Sequence, residues 1–448
     1  MKKRCLPALL TALAIGLLTA SPALADKTGV SGKPTVQPQP IDASSFSPTT
    51  TTIGGGANVL PTTRTLAHWW GSATNPDNGI TYGFNMVGAD PNNCSGSACS
   101  VTIQADITPL IVNFDGMTYD GTAVVAPTLD SPVFTGNDYG STPAATAAGD
   151  WPNYPQLING PGGTLSQGDS GLSLQLEDAT MRAQFNKVGG SSPYHLILHP
   201  NVLPAVTLNV PHNQGILRES PQGVIFPTIN INWWAAQIKN LEGKADPTHL
   251  PIYLSNDVLL QDQFGGCCTI GFHGTRASGY GVGDANSNGN AVVQTFAWAS
   301  WVRPGTYPRV AGRPLPTDWA LQDIHGLSHE IAEWADDPFV NNTVEPWLTP
   351  TAPQYGCTNV LETGDPVVGI GFAMGTNSFE QGPLPDGEQM ADGFYHPEDE
   401  VFLPWFMRQA PNLVSEPTQS PSTNIGRYTL MGDLNPFPGF RQPATGCN

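Results

Sequence analysis

Residues 325–338 constrain the fold of this chain most, because their polar side chains recur with the period of an α-helix. The segment reads HGLSHEIAEWADDP and places His325, His329 and Glu333 four residues apart. In a helix, side chains with this spacing lie on one face. Isoleucine, alanine and tryptophan flank that face, which indicates a partly buried helix. We therefore predict a helix over residues 320–336 with potential metal ligands along one side.

The segment resembles the H-E-x-x-H motif of zinc peptidases, with glutamate in place of the second histidine. Imidazole and carboxylate groups both bind zinc at about 2 Å, so one helical turn can supply two ligands, here His329 and Glu333. Glu330 points slightly off their face, where it can take a proton from water on the metal. Asp336 and Asp337 oppose the helix dipole at a cost of about 0.3–1 kcal/mol each, unless a cation lies nearby. The alternative is a solvated helix face without a metal.

A zinc site of this type needs at least one more protein ligand. We predict Glu362, because a glutamate from beyond the active-site helix completes the site in one large zincin group. His325 and Asp337 are alternates on the helix, although the first can equally be a packed core histidine and the second a turn residue. Asp365 and His396 are expected behind the ligands, orienting them. Zinc is the predicted ion, with manganese or calcium as alternatives because carboxylates are hard ligands.

The N-terminus predicts an exported protein. Residues 1–25 combine three basic residues, a short apolar run and a small-residue site, which is the layout of a signal peptide. That run is too short to span a bilayer and no later segment is long enough, so no membrane span is expected. Residues 26–60 are rich in Thr, Ser, Pro and Gly and predict an extended linker. We expect a secreted protein, either extracellular or periplasmic.

Cysteine usage agrees with export, because six of the 7 cysteines lie outside the predicted signal peptide. An even number suits an oxidising compartment. Cys94 and Cys99 bracket a short turn and are predicted to pair. The adjacent Cys267 and Cys268 are expected to reach different partners, which would be the two cysteines nearest the C-terminus. These two are Cys357 and Cys447.

The net charge of −19 argues against nucleic acid or an anionic membrane as a partner. We predict an α+β fold: a β-rich region over residues 61–215, then a metal-binding region over 216–448 with a zincin-like mixed sheet and an active-site helix. The predicted strands are 80–87, 101–114, 121–127, 194–198, 223–231, 250–260 and 291–302. Further helices are predicted over 171–187, 233–241 and 399–409.

The second half of the chain resembles the EXORDIUM, or phosphate-induced, family of secreted proteins. Residues 328–333 with 337–338 match its segment A-H-E-L-A-E-x-x-T-N/D-P, and residues 362–365 match its E-I-A/G-D segment. Residues 268–274 look like its C-G-x-H-G segment, and Asn341, Asn342 and Trp347 loosely match its N-x-W-Y segment. The resemblance covers about residues 250–370. It implies a secreted protein linked to cell walls and growth. This chain departs from the family in having His325 and in placing Cys357 before the Glu362 segment.

Two functions are compatible with these observations. The first is a secreted zinc-dependent hydrolase, a metallopeptidase in which Glu330 is the general base for a peptide or protein substrate. The second is a non-catalytic secreted protein with a structural metal or none, which binds cell-wall polysaccharide or a protein partner.

Overall fold

The computed structural model describes residues 65–137, 173–187, 192–261, 267–278, 292–307, 321–348, 357–368, 371–372, 374–379, 384–385, 387, 393–410, 428–430 and 447. In chain order the strands are β1 (His68–Thr74), β2 (Thr81–Val87), β3 (Ser100–Phe114), β4 (Met117–Asp120), β5 (His195–Val202), β6 (Val206–Asn209), β7 (Gly215–Glu219), β8 (Ile225–Asn230), β9 (Leu250–Asn256), β10 (Leu259–Gln261), β11 (Cys267–Thr269), β12 (Gly271–Ser278), β13 (Val292–Trp301), β14 (Thr343–Leu348) and β15 (Cys357–Val360). The α-helices are α1 (Val125–Leu129), α2 (Leu176–Gln184), α3 (Ile231–Glu242), α4 (His325–Asp336) and α5 (Leu403–Phe406).

A mixed sheet organises the protein around the long strand β3. One path through it runs β12-β13-β9-β3-β4, while β5 and β6 pair with β3 along its other side. β13, β9 and β3 are parallel, and β12 runs antiparallel to β13 at the edge. Smaller sheets join β1 to β2, β14 to β15, and β7, β8, β10 and β11 to one another. The main sheet therefore contains strands from both predicted regions of the chain.

The two faces of the main sheet contribute to different hydrophobic clusters, because successive side chains of a strand point to opposite sides. On β13, Ala297 belongs to the hydrophobic cluster that contains Trp334 of α4. The next residue along β13, Trp298, belongs instead to the cluster that contains Trp234 of α3. His273 of β12 pairs with Ala297, so its side chain lies on the α4 face.

Helix α4 is buried along its whole length, so the alternative of a solvated helix face is wrong. Its apolar residues pack on the sheet, and the Trp334 indole N–H donates to Thr295 Oγ1 of β13 at 2.9 Å. The helix ends at Asp336 because Pro338 disfavours helical backbone at Asp337. Beyond the helix the Asp337 carboxylate accepts the backbone N–H groups of Asn341 and Asn342. The predicted helix over 320–336 is thus observed as His325–Asp336.

The predicted strands and helices are mostly observed as elements of the predicted type, and five of them have both ends within two residues of the prediction: 80–87, 101–114, 223–231, 233–241 and 291–302. The strand predicted over 250–260 is divided between β9 and β10, and 171–187, 194–198 and 320–336 differ by four or five residues at one end. Residues 121–127 are an exception, since they form a short 3-10 turn (Gly121–Val124) and then α1. The Asp120 side chain accepts the N–H of Thr122 and so starts a helical turn. The helix predicted over 399–409 is shorter and forms only α5. The protein is thus mixed α/β with several sheets and few helices, and the finer zincin-like arrangement stays a prediction. The predicted signal peptide and linker lie outside the described residues.

The cysteines pair partly as predicted. Cys94 bonds to Cys99, and Cys357 bonds to Cys447 with a Cα–Cα distance of 5.6 Å, which is typical of disulfides. The expectation that Cys267 and Cys268 reach different partners is wrong, because these neighbours pair with each other. In the part of the chain that the structure describes, no helix is both long and apolar enough to cross a membrane.

Candidate metal centre

Five buried side chains with metal-binding atoms converge where α4 meets β12 and the loop after β15. The ligand atoms of His329, Glu333 and Asp365 all lie within 4.8 Å of one another, as do those of His273, Glu330 and Glu333. None of the five residues is more than 4% exposed. Glu333 belongs to both groups, so it lies at the middle of the cluster.

One ring nitrogen of His329 has a hydrogen-bonding partner, and the other has none among the described residues. Its Nδ1 lies 3.0 Å from Glu398 Oε2. Its Nε2 lies 3.1 Å from Glu333 Oε1, and no described residue forms a well-aligned hydrogen bond with it. Burial alone would lower the pKa of His329, but Glu333 and Glu398 raise it well above its ordinary value. A metal at Nε2 would therefore compete with a proton.

The Glu333 carboxylate is anchored by the backbone of the loop that follows β15. The N–H groups of Gly364 and Asp365 each donate to Glu333 Oε1 at 3.2 Å, while Oε2 has no hydrogen-bonding partner among the described residues. Burial would raise the pKa of Glu333, but the adjacent His329 and His273 hold it well below its ordinary value. This carboxylate is therefore ionised. A Cβ atom at position 364 would collide with the His329 imidazole, so only glycine allows the loop to approach this closely.

Glu330 lies between the two histidines of the cluster. Its Oε2 is 3.4 Å from His273 Nδ1, and its Oε1 is 4.0 Å from His329 Nε2. Within the described residues Oε1 has no hydrogen-bonding partner. Burial raises the pKa of Glu330, against the effect of His273. Gly271 leaves room for this side chain, since a Cβ there would lie 2.6 Å from Glu330 Cγ.

The structure places Asp365, rather than Glu362, in the group with His329 and Glu333. Glu362 is buried nearby, with its Oε2 3.9 Å from His273 Nε2. Burial, and then the neighbouring Glu333, raises the pKa of Glu362 well above its ordinary value. The roles of these residues as ligands remain predictions, but their positions favour Asp365 as the third ligand.

The other predicted candidates face different partners. His325 Nε2 lies 2.6 Å from Glu398 Oε2. Asp337 accepts two backbone N–H groups beyond the end of α4, so it stabilises the chain turn. His396 contacts Asp323, which accepts its backbone N–H at 2.8 Å and lies 3.5 Å from its ring Nδ1. None of the three belongs to either ligand group among the described residues.

Sequence reasoning gave no role to His273 or Glu398. His273 lies in the segment that resembles C-G-x-H-G, which was the one available signal for it. Glu398 lies in an acidic stretch, PEDEV, within a region predicted to be mostly loop. Glu400, two residues further, is also buried, and neither of its carboxylate oxygens has a hydrogen-bonding partner in the described chain. Burial raises its pKa well above the ordinary value.

The donor set fits a divalent metal ion. His329, Glu333 and Asp365 offer one nitrogen and two carboxylate oxygens, which suits zinc and also manganese. Buried polar atoms without partners cost free energy. Two such atoms, His329 Nε2 and Glu333 Oε2, belong to this group as far as the described residues show. An ion coordinated there would satisfy them and offset the local excess of carboxylates.

Comparisons with protein-family models, with characterised proteins and with solved structures found no match for this chain. The resemblance to the EXORDIUM family therefore stays a prediction.

Proposed function

We propose that this protein is an exported metal-dependent hydrolase of the peptidase type, with its ion held by His329, Glu333 and Asp365. The observation that carries the proposal is the position of Glu330. One of its oxygens lies 4.0 Å from His329 Nε2 and has no hydrogen-bonding partner among the described residues. A carboxylate beside a metal ligand, with one oxygen free to accept a proton, is what metal-assisted hydrolysis needs.

Each side chain has a distinct task in this proposal. A divalent ion bound here would polarise a scissile carbonyl and lower the pKa of an attacking water molecule. Glu330 takes the proton from that water as it adds to the carbonyl carbon, and then delivers it to the leaving amine. His273 contacts the other Glu330 oxygen and so fixes the carboxylate during both transfers. The backbone N–H groups at the Glu333 carboxylate keep that ligand in one orientation.

Two observations support export to an oxidising compartment. Residues 1–25 have the layout of a signal peptide. Disulfides link Cys94 to Cys99 and Cys357 to Cys447, and such bonds persist mainly outside the cytosol.

A second candidate function is favoured by the burial of the cluster. Structural metal sites are closed by protein ligands, whereas catalytic sites keep one position open to substrate. Because none of the five side chains is more than 4% exposed, the ion could instead stabilise a non-catalytic binding protein. In that case the partner, such as cell-wall polysaccharide, would bind elsewhere on the surface.

One substitution separates the two candidates. Glu330→Gln keeps the size of the side chain but removes the proton acceptor. For a hydrolase, cleavage of a mixed peptide library should fall about 10²–10⁴-fold while bound metal, measured by atomic emission, is unchanged. If the unsubstituted protein binds metal and cleaves nothing at any pH tested, the binding-protein function is the correct one. Loss of metal from the variant would make Glu330 a ligand rather than a base.

A further inference from the structure

We propose that Glu398 is a positioning residue, which fixes the His329 imidazole for metal binding, and that His325 holds Glu398 in place. This inference rests on the proposed metal site, but its test needs no hydrolytic activity. It is carried by two short contacts to one atom: Glu398 Oε2 lies 3.0 Å from His329 Nδ1 and 2.6 Å from His325 Nε2. All three side chains are buried.

These contacts determine which His329 nitrogen can bind a metal. A carboxylate oxygen only accepts hydrogen bonds, so Nδ1 of His329 must carry the hydrogen that points to Glu398. A neutral imidazole has one N–H group, which leaves the lone pair on Nε2. That nitrogen lies 3.1 Å from Glu333 Oε1, inside the proposed ligand group. Metal-binding histidines commonly donate their second nitrogen to a carboxylate in this way.

The same geometry gives His325 a role other than ligand. His325 lies one helical turn before His329 on the same face of α4, so both rings reach the same side of the helix. Because of this spacing, one nitrogen from each ring contacts the same Glu398 oxygen. His325 therefore donates from Nε2 and restrains the same carboxylate oxygen that His329 contacts.

The backbone around Glu398 is tied to α4 independently of these rings. The Glu398 N–H donates to Ser328 Oγ at 2.9 Å, and that hydroxyl donates to the carbonyl oxygen of His325 at 3.0 Å. On the other side, the Phe372 N–H donates to the carbonyl oxygen of Pro397 at 3.1 Å. These backbone hydrogen bonds hold the Glu398 carboxylate at a fixed position, although Glu398 lies 69 residues from His329 in sequence.

The test compares two buried glutamates of the same segment. Mature full-length protein would be titrated with Zn²⁺ in competition with a chromogenic chelator, for the unsubstituted chain, Glu398→Gln and Glu400→Gln. Glu400 is equally buried and interacts with His329 through charge, but neither of its oxygens has a hydrogen-bonding partner among the described residues, so it does not orient the ring. We expect Glu398→Gln to weaken zinc binding about 10–100-fold. Glu400→Gln should change it less than about threefold, and circular dichroism checks that both variants fold.

A spectroscopic measurement identifies the nitrogen directly. In the zinc-loaded protein with ¹⁵N-labelled histidine, His329 should show zinc at Nε2 and a hydrogen-bonded proton on Nδ1. That proton signal should shift in Glu398→Gln, and His325→Phe should move it in the same direction by a smaller amount. If the role of Glu398 were merely structural, the His329 Nδ1 proton signal would not shift in either folded variant.

Two results would overturn the proposal: zinc affinity in folded Glu398→Gln within threefold of the unsubstituted protein, or zinc bound at His329 Nδ1. Failure to bind zinc at all would overturn both this proposal and the proposed metal site. A protein that binds zinc as expected but hydrolyses nothing would leave the role of Glu398 established and refute only the proposed hydrolase.

Discussion

Both faces of the main sheet bury apolar side chains, but the α4 face also buries a cluster of charged groups. On the α3 face, Trp298 packs against Trp234 and Phe272 with ring centroids 5.3 and 5.2 Å apart, so stability there follows from apolar burial and shape. On the α4 face, carboxylates and imidazoles are buried to the same extent, and several of their atoms have no hydrogen-bonding partner in the described chain. Apolar contact needs no further partner, whereas buried charge does. A bound ion is therefore expected on the α4 face.

The largest expected effect is on the α4 face. His329→Ala removes the one nitrogen ligand of the proposed group, so the purified protein should lose its bound metal, measured by inductively coupled plasma emission. His199→Ala is the matched control, because His199 is exposed and outside both ligand groups. If His329→Ala still bound metal stoichiometrically, the metal site would have to lie at other residues. The charged groups of the α4 face would then not distinguish it as the metal-binding face.

Substitutions on the α3 face should change the stability of the protein and leave metal binding unchanged. Trp234→Ala leaves a cavity beside Trp298 and should lower the free energy of unfolding by about 3–5 kcal/mol. Zinc affinity of the folded variant should stay as in the unsubstituted protein. Trp234→Phe, which retains most of the ring volume, is the control and should cost much less. Chemical denaturation and zinc titration check the two quantities, and a fall in affinity would show that the two faces are coupled.

Two carboxylates of the loop after β15, Asp365 and Glu362, can be compared to identify the third ligand. Asp365→Ala should weaken zinc binding more than about 100-fold, because losing a ligand exceeds the 10–100-fold loss that follows removal of an orienting partner. The loss of zinc affinity in Glu362→Ala should be within that 10–100-fold range or smaller. Competition titration of both variants gives the comparison. The reverse order would return Glu362 to the ligand set and require the loop to rearrange when metal binds.

The smallest effect concerns a carboxylate behind the site. Burial, with help from Asp336 and Asp178, raises the pKa of Glu177 well above its ordinary value. The native protein therefore holds the Glu177 proton to a higher pH than the unfolded chain does, and stability falls as pH rises above the unfolded pKa of about 4.3. Glu177→Gln should remove this loss, at about 1.4 kcal/mol for each unit between the two pKa values. Denaturation with a chelator present, from pH 4 to 8, should show a flatter profile; an unchanged profile would refute the assignment.

The sequence was sufficient where the relevant information is local. The helix, the burial of its face and the grouping of His329 with Glu330 and Glu333 all follow from side-chain spacing within three turns. His273 and Glu398 could not be found this way, because they lie 57 and 69 residues from the helix residues they contact. Strand alternation can place His273 on one face of a sheet, but it does not say which helix covers that face.

Loop geometry explains the remaining differences. Glu362 and Asp365 are three residues apart, and both are carboxylates, so composition does not distinguish them. The short 3-10 turn Asp365–Val367 and the backbone N–H groups at Glu333 orient the loop so that Asp365 joins His329 and Glu333. The pairing of Cys267 with Cys268 likewise depends on where the backbone brings other cysteines, which spacing alone does not encode.

The contact of Gly364 with the His329 ring has a consequence for how this protein can change by mutation. One added methyl group at that position would collide with the His329 ring, so either the ring or the loop that carries Asp365 would have to move. A natural or engineered variant with alanine there would keep every proposed ligand in its sequence and yet lose the site. An inventory of ligands is therefore not enough to decide whether a related chain binds metal, and position 364 offers a way to inactivate the site without altering any donor atom.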